Sequence, residues 1–368
     1  MREVQFVVAE GIDDPARPSG GNSYNRRVRD GLLAAGWGLR VDEVAGAWPA
    51  ADPAAHARLN SLLSAAPDGA TLLIDGLIAS SVPEILATHT RRLRLVVLLH
   101  MPLGLITGNE DGRRAEEAAL SAAAAIVTTS GWSRDRLLEL YPLDPTRISV
   151  ARPGVEAAPL AAGSESGQEL LCVGALAEHK GQDLLLAALA ELPDLSWRCR
   201  FVGPTDRDPA YVAHLIARSA ESGLADRVSF AGPRSGAELA GSYAEADVLI
   251  LPSRFESYGM VITEALARGI PVIAAAVGGV PEALMPARDE RRPGLLLPPE
   301  DPAALAEALR RWLSEPPLRR SLRALAREVR PELSGWEETT ARLALVLDGI
   351  GRQGELVSAP GRISLRRG

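Results

Sequence analysis

The sequence predicts an α/β protein built as two doubly wound, parallel-sheet halves that face one another across a cleft. Three observations predict it. Short β-rich runs alternate with amphipathic helical stretches through the first half of the chain. The alternation then stops in residues 156–168 (EAAPLAAGSESGQ), where one Leu is the sole large apolar residue, and afterwards the same rhythm restarts. Strands that alternate with helices belong to a parallel sheet covered on both faces. At 368 residues the chain is long enough for two such domains, each with a core of its own.

In the first half, strands are expected at Val4–Ala9, Leu39–Val44, Leu72–Ile78, Leu95–His100, Ala125–Thr129 and Ile148–Arg152. Helical patterns lie at Asn22–Ala35, Arg114–Ala123 and Trp132–Leu140. Together they make a Rossmann-like domain over 1–155, and 156–168 reads as a soft linker. A second Rossmann-like domain follows over 169–335. Its strands are expected at Glu169–Gly174, Trp197–Gly203, Arg227–Gly232, Asp247–Leu251, Pro271–Ala275 and Leu295–Leu297. Its helices are expected at 181–191, 209–222, 236–245, 260–268 and 302–314. A last helix is predicted over 337–348, within a segment 336–350. The tail 351–368 carries Gly, Pro and four Arg without periodicity and reads as mobile.

Bulk properties exclude several classes. The net charge of −7 gives no global basic field for nucleic acid or an anionic membrane. No apolar run approaches the roughly 20 residues that a membrane span needs. The first residues run straight into a strand without the features of a signal peptide, so a cytoplasmic location is expected. Cys172 and Cys199 lie in separate apolar runs, and two thiols make no disulfide framework. The sequence leaves the oligomeric state open.

Ligands in open α/β sheets sit beyond the carboxyl ends of strands, so the loops after strands carry the chemistry. The strongest signal is Pro252–Pro271, PSRFESYGMVITEALARGIP. Glu256 sits in the loop after a strand, and Ser257-Tyr258-Gly259 leads into an apolar helix that begins Met260-Val261. The unpaired backbone N–H groups of that helix start suit a diphosphate. Glu264, about one and a half turns on, is placed to accept from ribose hydroxyls, and Glu256 from sugar hydroxyls. Lys180 lies between a strand and a helix, where its charge can neutralise a leaving diphosphate. Gly20 and Gly21 open the first helix and allow close backbone approach to a ligand. The preceding loop, with Asp13, Asp14, Pro15 and Pro18, is long enough to shape an acceptor site. His100 ends an apolar strand and so faces the cleft.

The Pro252–Pro271 segment resembles the Glu-x7-Glu signature of the family-4 type of retaining glycosyltransferases, which adopt the GT-B fold. The resemblance extends through Ala265–Ile273, Gly278-Gly279-Val280-Pro281-Glu282 and Gly294–Pro298, and upstream to Gly174–Gly181 and Val228–Gly232. It covers most of 168–315 closely and the first half more loosely. It implies transfer of a sugar, with retained anomeric configuration, from a nucleotide sugar to an acceptor. It also implies that Lys180, the helix start at Gly259–Val261, Gly232 and Arg234 hold the donor, with Glu264 on the ribose and Glu256 and His100 on the sugar. The glycine-rich loop at Gly20-Gly21 would face sugar and phosphates. One departure stands out: the family's diphosphate-binding Arg is Ala175 here, leaving Lys180 with Arg234 or Arg254 as possible helpers.

The resemblance implies no resident cofactor and no metal, the nucleotide sugar being a co-substrate with uridine the favoured base. No basic amphipathic helix with an exposed apolar face stands out in the first half, so a soluble small-molecule acceptor is expected over a lipid one. Asp206-Arg207-Asp208 has the form of an Asp-x-Asp metal motif, but Asp208 before Pro209 reads more simply as a helix N-cap. The five histidines show no zinc spacing. Arg26, Arg27 and Arg29 read as a solvated helix face, without the aromatic stripe of a nucleic-acid surface. Two other functions remain open on the same architecture: a sugar-nucleotide epimerase or hydrolase, and a non-catalytic nucleotide-sugar-binding protein.

Overall fold

The computed structural model describes residues 2–14, 18–106, 110–285, 287 and 290–358. Among the described residues, twelve strands form two parallel six-stranded sheets. The first contains β1 (Glu3–Ala9), β2 (Gly38–Val44), β3 (Thr71–Asp75), β4 (Arg94–Leu99), β5 (Ala125–Thr128) and β6 (Ile148–Val150), in the order β2-β1-β3-β4-β5-β6. The second contains β7 (Glu169–Val173), β8 (Arg198–Val202), β9 (Val228–Phe230), β10 (Val248–Leu251), β11 (Val272–Ala275) and β12 (Gly294–Leu297), in the order β12-β11-β10-β7-β8-β9. Both sheets are doubly wound, as predicted. Their strand order reverses between β1 and β3 in one and between β7 and β10 in the other, and a ligand crevice opens at such a switch point.

Each sheet is buried by the pattern its sequence carries. The runs of β4, β5, β10 and β11 are apolar on both faces, as strands sandwiched between helices require. The first sheet has separate cores on its two faces, one around Val7, Leu72, Ile74 and Val97, the other around Phe6, Val8, Tyr24 and Leu98. The second has one continuous core from Leu170 to Val329. Cys172 and Cys199 are free and buried in it, and burial pushes the Cys172 thiol up to about 12.

Several expectations need correction. The predicted strand Leu72–Ile78 ends at Asp75, because the Asp75 carboxylate accepts from Leu77 N–H at 2.8 Å and caps a helical turn over Gly76–Ala79. The linker has no regular secondary structure, yet it is tied down. Asp247 accepts from Ser164 Oγ at 2.6 Å, and Arg330 donates to Ala158 O at 2.7 Å. The last helix runs Trp336–Ser358, so 351–358 continue it instead of starting a tail. Pro15 and 359–368 lie outside the described residues.

That last helix returns to the first domain. Leu343 and Leu347 join the core of Tyr24 and Val28, and the Trp336 ring meets the Tyr24 ring edge-on at 5.6 Å. The outgoing and returning crossings run side by side, with Val155 N–H donating to Ser334 O at 2.9 Å. Among the described residues no helix is long and apolar enough to cross a membrane.

Candidate active site

The loops after β7 and β10 meet at the switch point of the second sheet. Gly181 has φ +68°, and a Cβ there would come within 2.2 Å of Pro252 O, so only glycine lets the two loops touch. That contact places Lys180 Nζ 2.7 Å from Glu256 Oε1. Ser253 Oγ also donates to Oε1, at 3.1 Å, while Oε2 has no protein partner among the described residues. The Glu256 side chain is buried and Lys180 half-buried. A lysine has three donors, so Lys180 keeps two beyond this ion pair.

Beneath Glu256 lies the Gly278-Gly279 turn. Gly278 has φ +54°, and a Cβ there would stand 1.7 Å from Glu256 O, while Gly279 N–H donates to that same carbonyl at 3.1 Å. Ser257, Tyr258 and Gly259 then lead into the helix Met260–Leu266, whose start has no side-chain cap. Its first backbone N–H groups therefore remain open to an anion.

Glu264 and Arg234 converge on one helix, Gly236–Ala244. The Tyr243 hydroxyl donates to Glu264 Oε2 at 2.7 Å, and Arg234 Nη1 donates to Ser242 Oγ at 2.8 Å. Burial pushes the Glu264 carboxyl above its ordinary value, against the opposing pull of Tyr243 and Arg268. Arg254 is engaged elsewhere: it forms a two-pronged pair with Asp183 at 2.8 and 2.7 Å and donates to Glu178 O. Gly232 borders open space.

The first domain supplies the facing wall. Gly20 begins the helix Gly20–Ala34, which Ser19 caps by accepting from Asn22 N–H at 3.0 Å. A Cβ on Gly20 would lie 3.8 Å from Met260 Sδ, and one on Gly21 would lie 3.6 Å from His100 Cδ2. Gly20-Gly21, His100 and Met260 thus come together from three places in the sequence. Below His100, Asn25 lies 2.8 Å from its Nε2 and Asp75 lies 3.5 Å from it.

The two domains are joined directly beside this wall. Ser130 Oγ donates to Ser257 O at 2.7 Å, and the Trp132 and Phe255 rings meet edge-on at 5.7 Å. Glu282 reaches across to the start of the helix Gly131–Leu140, where Gly131 N–H donates to Oε2 at 2.9 Å, and Arg152 pairs with it. A carboxylate at a helix N-terminus is favoured by the unpaired amides and the helix dipole.

Comparison with known proteins shows the family and the fold. The family description "Glycosyl transferases group 1" matches residues 162–329. A curated relative from Catenulispora acidiphila, named D-inositol 3-phosphate glycosyltransferase 1, is 31% identical over 289 residues, which is 71% of this chain and 68% of that one. The chain belongs to the group 1 glycosyl transferases. The matches to other relatives called D-inositol 3-phosphate glycosyltransferase span only 61%, 55% and 58% of their lengths. Among solved structures, sucrose-phosphate synthase from Thermosynechococcus elongatus superposes with TM-score 0.79 at 23% identity, covering 97% of this chain and all 100% of that one. Anabaena HepE in complex with UDP and glucose gives TM-score 0.75 at 17% identity, covering 95% and 100%. These likenesses establish the GT-B fold.

In this group 1 glycosyltransferase the sequence reading missed Asn25, Asp75, Ser130 and Tyr243. Asp75 had a usable signal, since a buried acid at a strand's carboxyl end in a switch-point sheet points to a site. Glu282 belongs to a quoted motif, but its partners on the other domain are beyond any local pattern. Asp208 caps the helix Pro209–Glu221, as read, by accepting from Tyr211 N–H at 3.0 Å. The arginines of the first helix are bonded: Arg29 to Asp13 and Asp30, Arg27 to Glu156, and Arg26 to Ile12 O.

Proposed function

We propose that the protein transfers a sugar, with retained anomeric configuration, from a nucleoside-diphosphate sugar to a small soluble acceptor. The observation that carries the reading is the Lys180–Glu256 contact at the switch point, next to the uncapped helix start at Gly259. A cation and a sugar-binding carboxylate 2.7 Å apart suit the two sides of one sugar–phosphate bond. Lys180 and the amides of Met260 and Val261 hold the diphosphate as charge develops on it. Glu264 accepts from the ribose, and Glu256 Oε2 from the sugar. Gly20 and Gly21 let the backbone approach the donor, and His100 borders the sugar.

Retention follows if the acceptor attacks from the face the diphosphate leaves, with the leaving phosphate taking the acceptor proton. The protein's work is then positioning, charge stabilisation and exclusion of water. Uridine is the favoured base, and HepE with UDP and glucose supports it as the first to test. The relatives named for D-inositol 3-phosphate make a phosphorylated polyol the first acceptor to test. A cytoplasmic location fits such substrates.

The reading requires no resident cofactor or divalent metal, so transfer persists in chelator. Activity lost on chelation and restored by magnesium or manganese would return Asp206 and Asp208 to the site. A thermal-shift panel of nucleotides and nucleotide sugars tests donor choice, since a selective ligand raises the unfolding midpoint by mass action. Free sugar or an epimer as product would favour the hydrolase or epimerase reading, and donor binding without turnover the non-catalytic one.

A further inference from the structure

Behind His100 lies a buried polar pair that the reading of the cleft does not use. Asp75 ends β3 and is 5% exposed, and Asn25 is 1% exposed. Asn25 Nδ2 donates to Asp75 Oδ2 at 2.6 Å, and Asn25 Oδ1 lies 2.8 Å from His100 Nε2. The other Asp75 oxygen accepts from Leu77 N–H at 2.8 Å. Burial pushes the Asp75 carboxyl up, while His100, the Leu77 N–H and Asn25 pull it down, and the net direction is below its ordinary value. With a donor on each oxygen, Leu77 N–H on one and Asn25 Nδ2 on the other, the group is placed as an acceptor-only carboxylate.

These contacts admit one arrangement of protons. An ionised carboxylate only accepts, so the Asn25 NH2 group faces Asp75 and its oxygen faces His100. That amide oxygen also only accepts, so His100 Nε2 carries the proton. In the neutral ring Nδ1 is then the bare acceptor. Nδ1 has no protein partner among the described residues, and the ring, held edge-on by Tyr24 at 5.1 Å, is 19% exposed.

We propose that Asp75 is a positioning residue that, through Asn25 and through its own Oδ2 3.5 Å from Nε2, fixes His100 in the Nε2–H tautomer and leaves Nδ1 to accept a hydrogen bond from a carbohydrate hydroxyl. The identity of that hydroxyl rests on the glycosyl-transfer reading; the tautomer does not. Asp75 itself touches no substrate. Its substitution by Asn keeps the shape but ends the constraint, because an amide there can donate as well as accept and the Asn25 amide can then turn over.

The test is long-range 1H–15N correlation of the full chain labelled with 15N-histidine, at a pH where the rings are neutral, with His100→Gln used to assign the resonances. The expected wild-type spectrum shows Nε2–H with an unprotonated Nδ1. Asp75→Asn and Asn25→Ala relax this toward a mixture of tautomers. The same variants lower sugar-transfer kcat about tenfold to a hundredfold, the loss of one hydrogen bond at a buried polar group. A wild-type ring with the proton on Nδ1 overturns the proposal, whatever the variants do. So does an unchanged tautomer in Asp75→Asn. A wild-type spectrum as expected from a protein that transfers no sugar would leave the tautomer assignment standing and remove the glycosyl-transfer reading.

Discussion

Lys180 Nζ and Glu256 Oε1 lie 2.7 Å apart although 76 residues separate them in the sequence, because the loops after β7 and β10 meet at the point where strand order reverses. The cation expected to help Lys180 is missing at Ala175, and Arg254 is already committed to Asp183. We predict that Lys180→Ala lowers turnover at saturating donor by roughly a hundredfold or more, the scale of removing one preorganised electrostatic contact. Ala175→Arg should tighten nucleoside-diphosphate binding in a titration. Near-normal turnover of Lys180→Ala would move the leaving-group charge to another residue.

Glu264 makes a prediction for donor affinity. Its Oε2 is taken by Tyr243, and Oε1 has no protein partner among the described residues. Glu264→Ala should weaken binding of the cognate nucleotide by about 1–3 kcal/mol. Calorimetric titration of both proteins checks this, and equal affinities would rule out the ribose contact.

The same carboxyl makes a prediction for stability. Burial raises it above the ordinary value of 4.5, so the folded chain binds this proton more tightly than the unfolded chain does. Its contribution to stability is fully present below the unfolded value and is lost as pH rises through the raised folded value. Glu264→Gln removes the cost of the buried charge. Urea midpoints followed from acid to neutral pH should therefore fall less steeply for the variant across that window than for the wild type.

At the domain junction, Glu282 accepts from Gly131 N–H at 2.9 Å and pairs with Arg152. Glu282→Ala removes both contacts and leaves the Ser130–Ser257 bond as their neighbour. Small-angle scattering should show a larger radius of gyration for the variant, with an unchanged unfolding midpoint for each domain. An unchanged scattering profile would show that the last helix and the core of Tyr24 hold the domains together without it.

Much of the fold is legible because parallel strands buried on both faces write themselves as apolar runs, and all twelve were expected within a few residues. The helices Pro53–Ala65, Pro83–His89 and Pro316–Glu328 were not, although each begins with a proline at a helix start just as the expected helices Pro209–Glu221 and Pro302–Ser314 do. The loop residues Lys180, Glu256 and His100 were legible from their place after strands. Asp75 was hidden by a strand read three residues too long. The pairings of Glu264 with Tyr243 and of Glu282 with Gly131 depend on tertiary contacts that no local period records.

The most direct test of the account is the product of the reaction itself. Purified protein is incubated with an α-linked UDP-sugar and a panel of soluble acceptors that includes phosphorylated polyols, and the new anomeric proton is read by NMR. The account predicts an α-linked product, formed in chelator and lost in Lys180→Ala and Glu256→Gln. A β-linked product, or a retained product formed equally well by both variants, would contradict it.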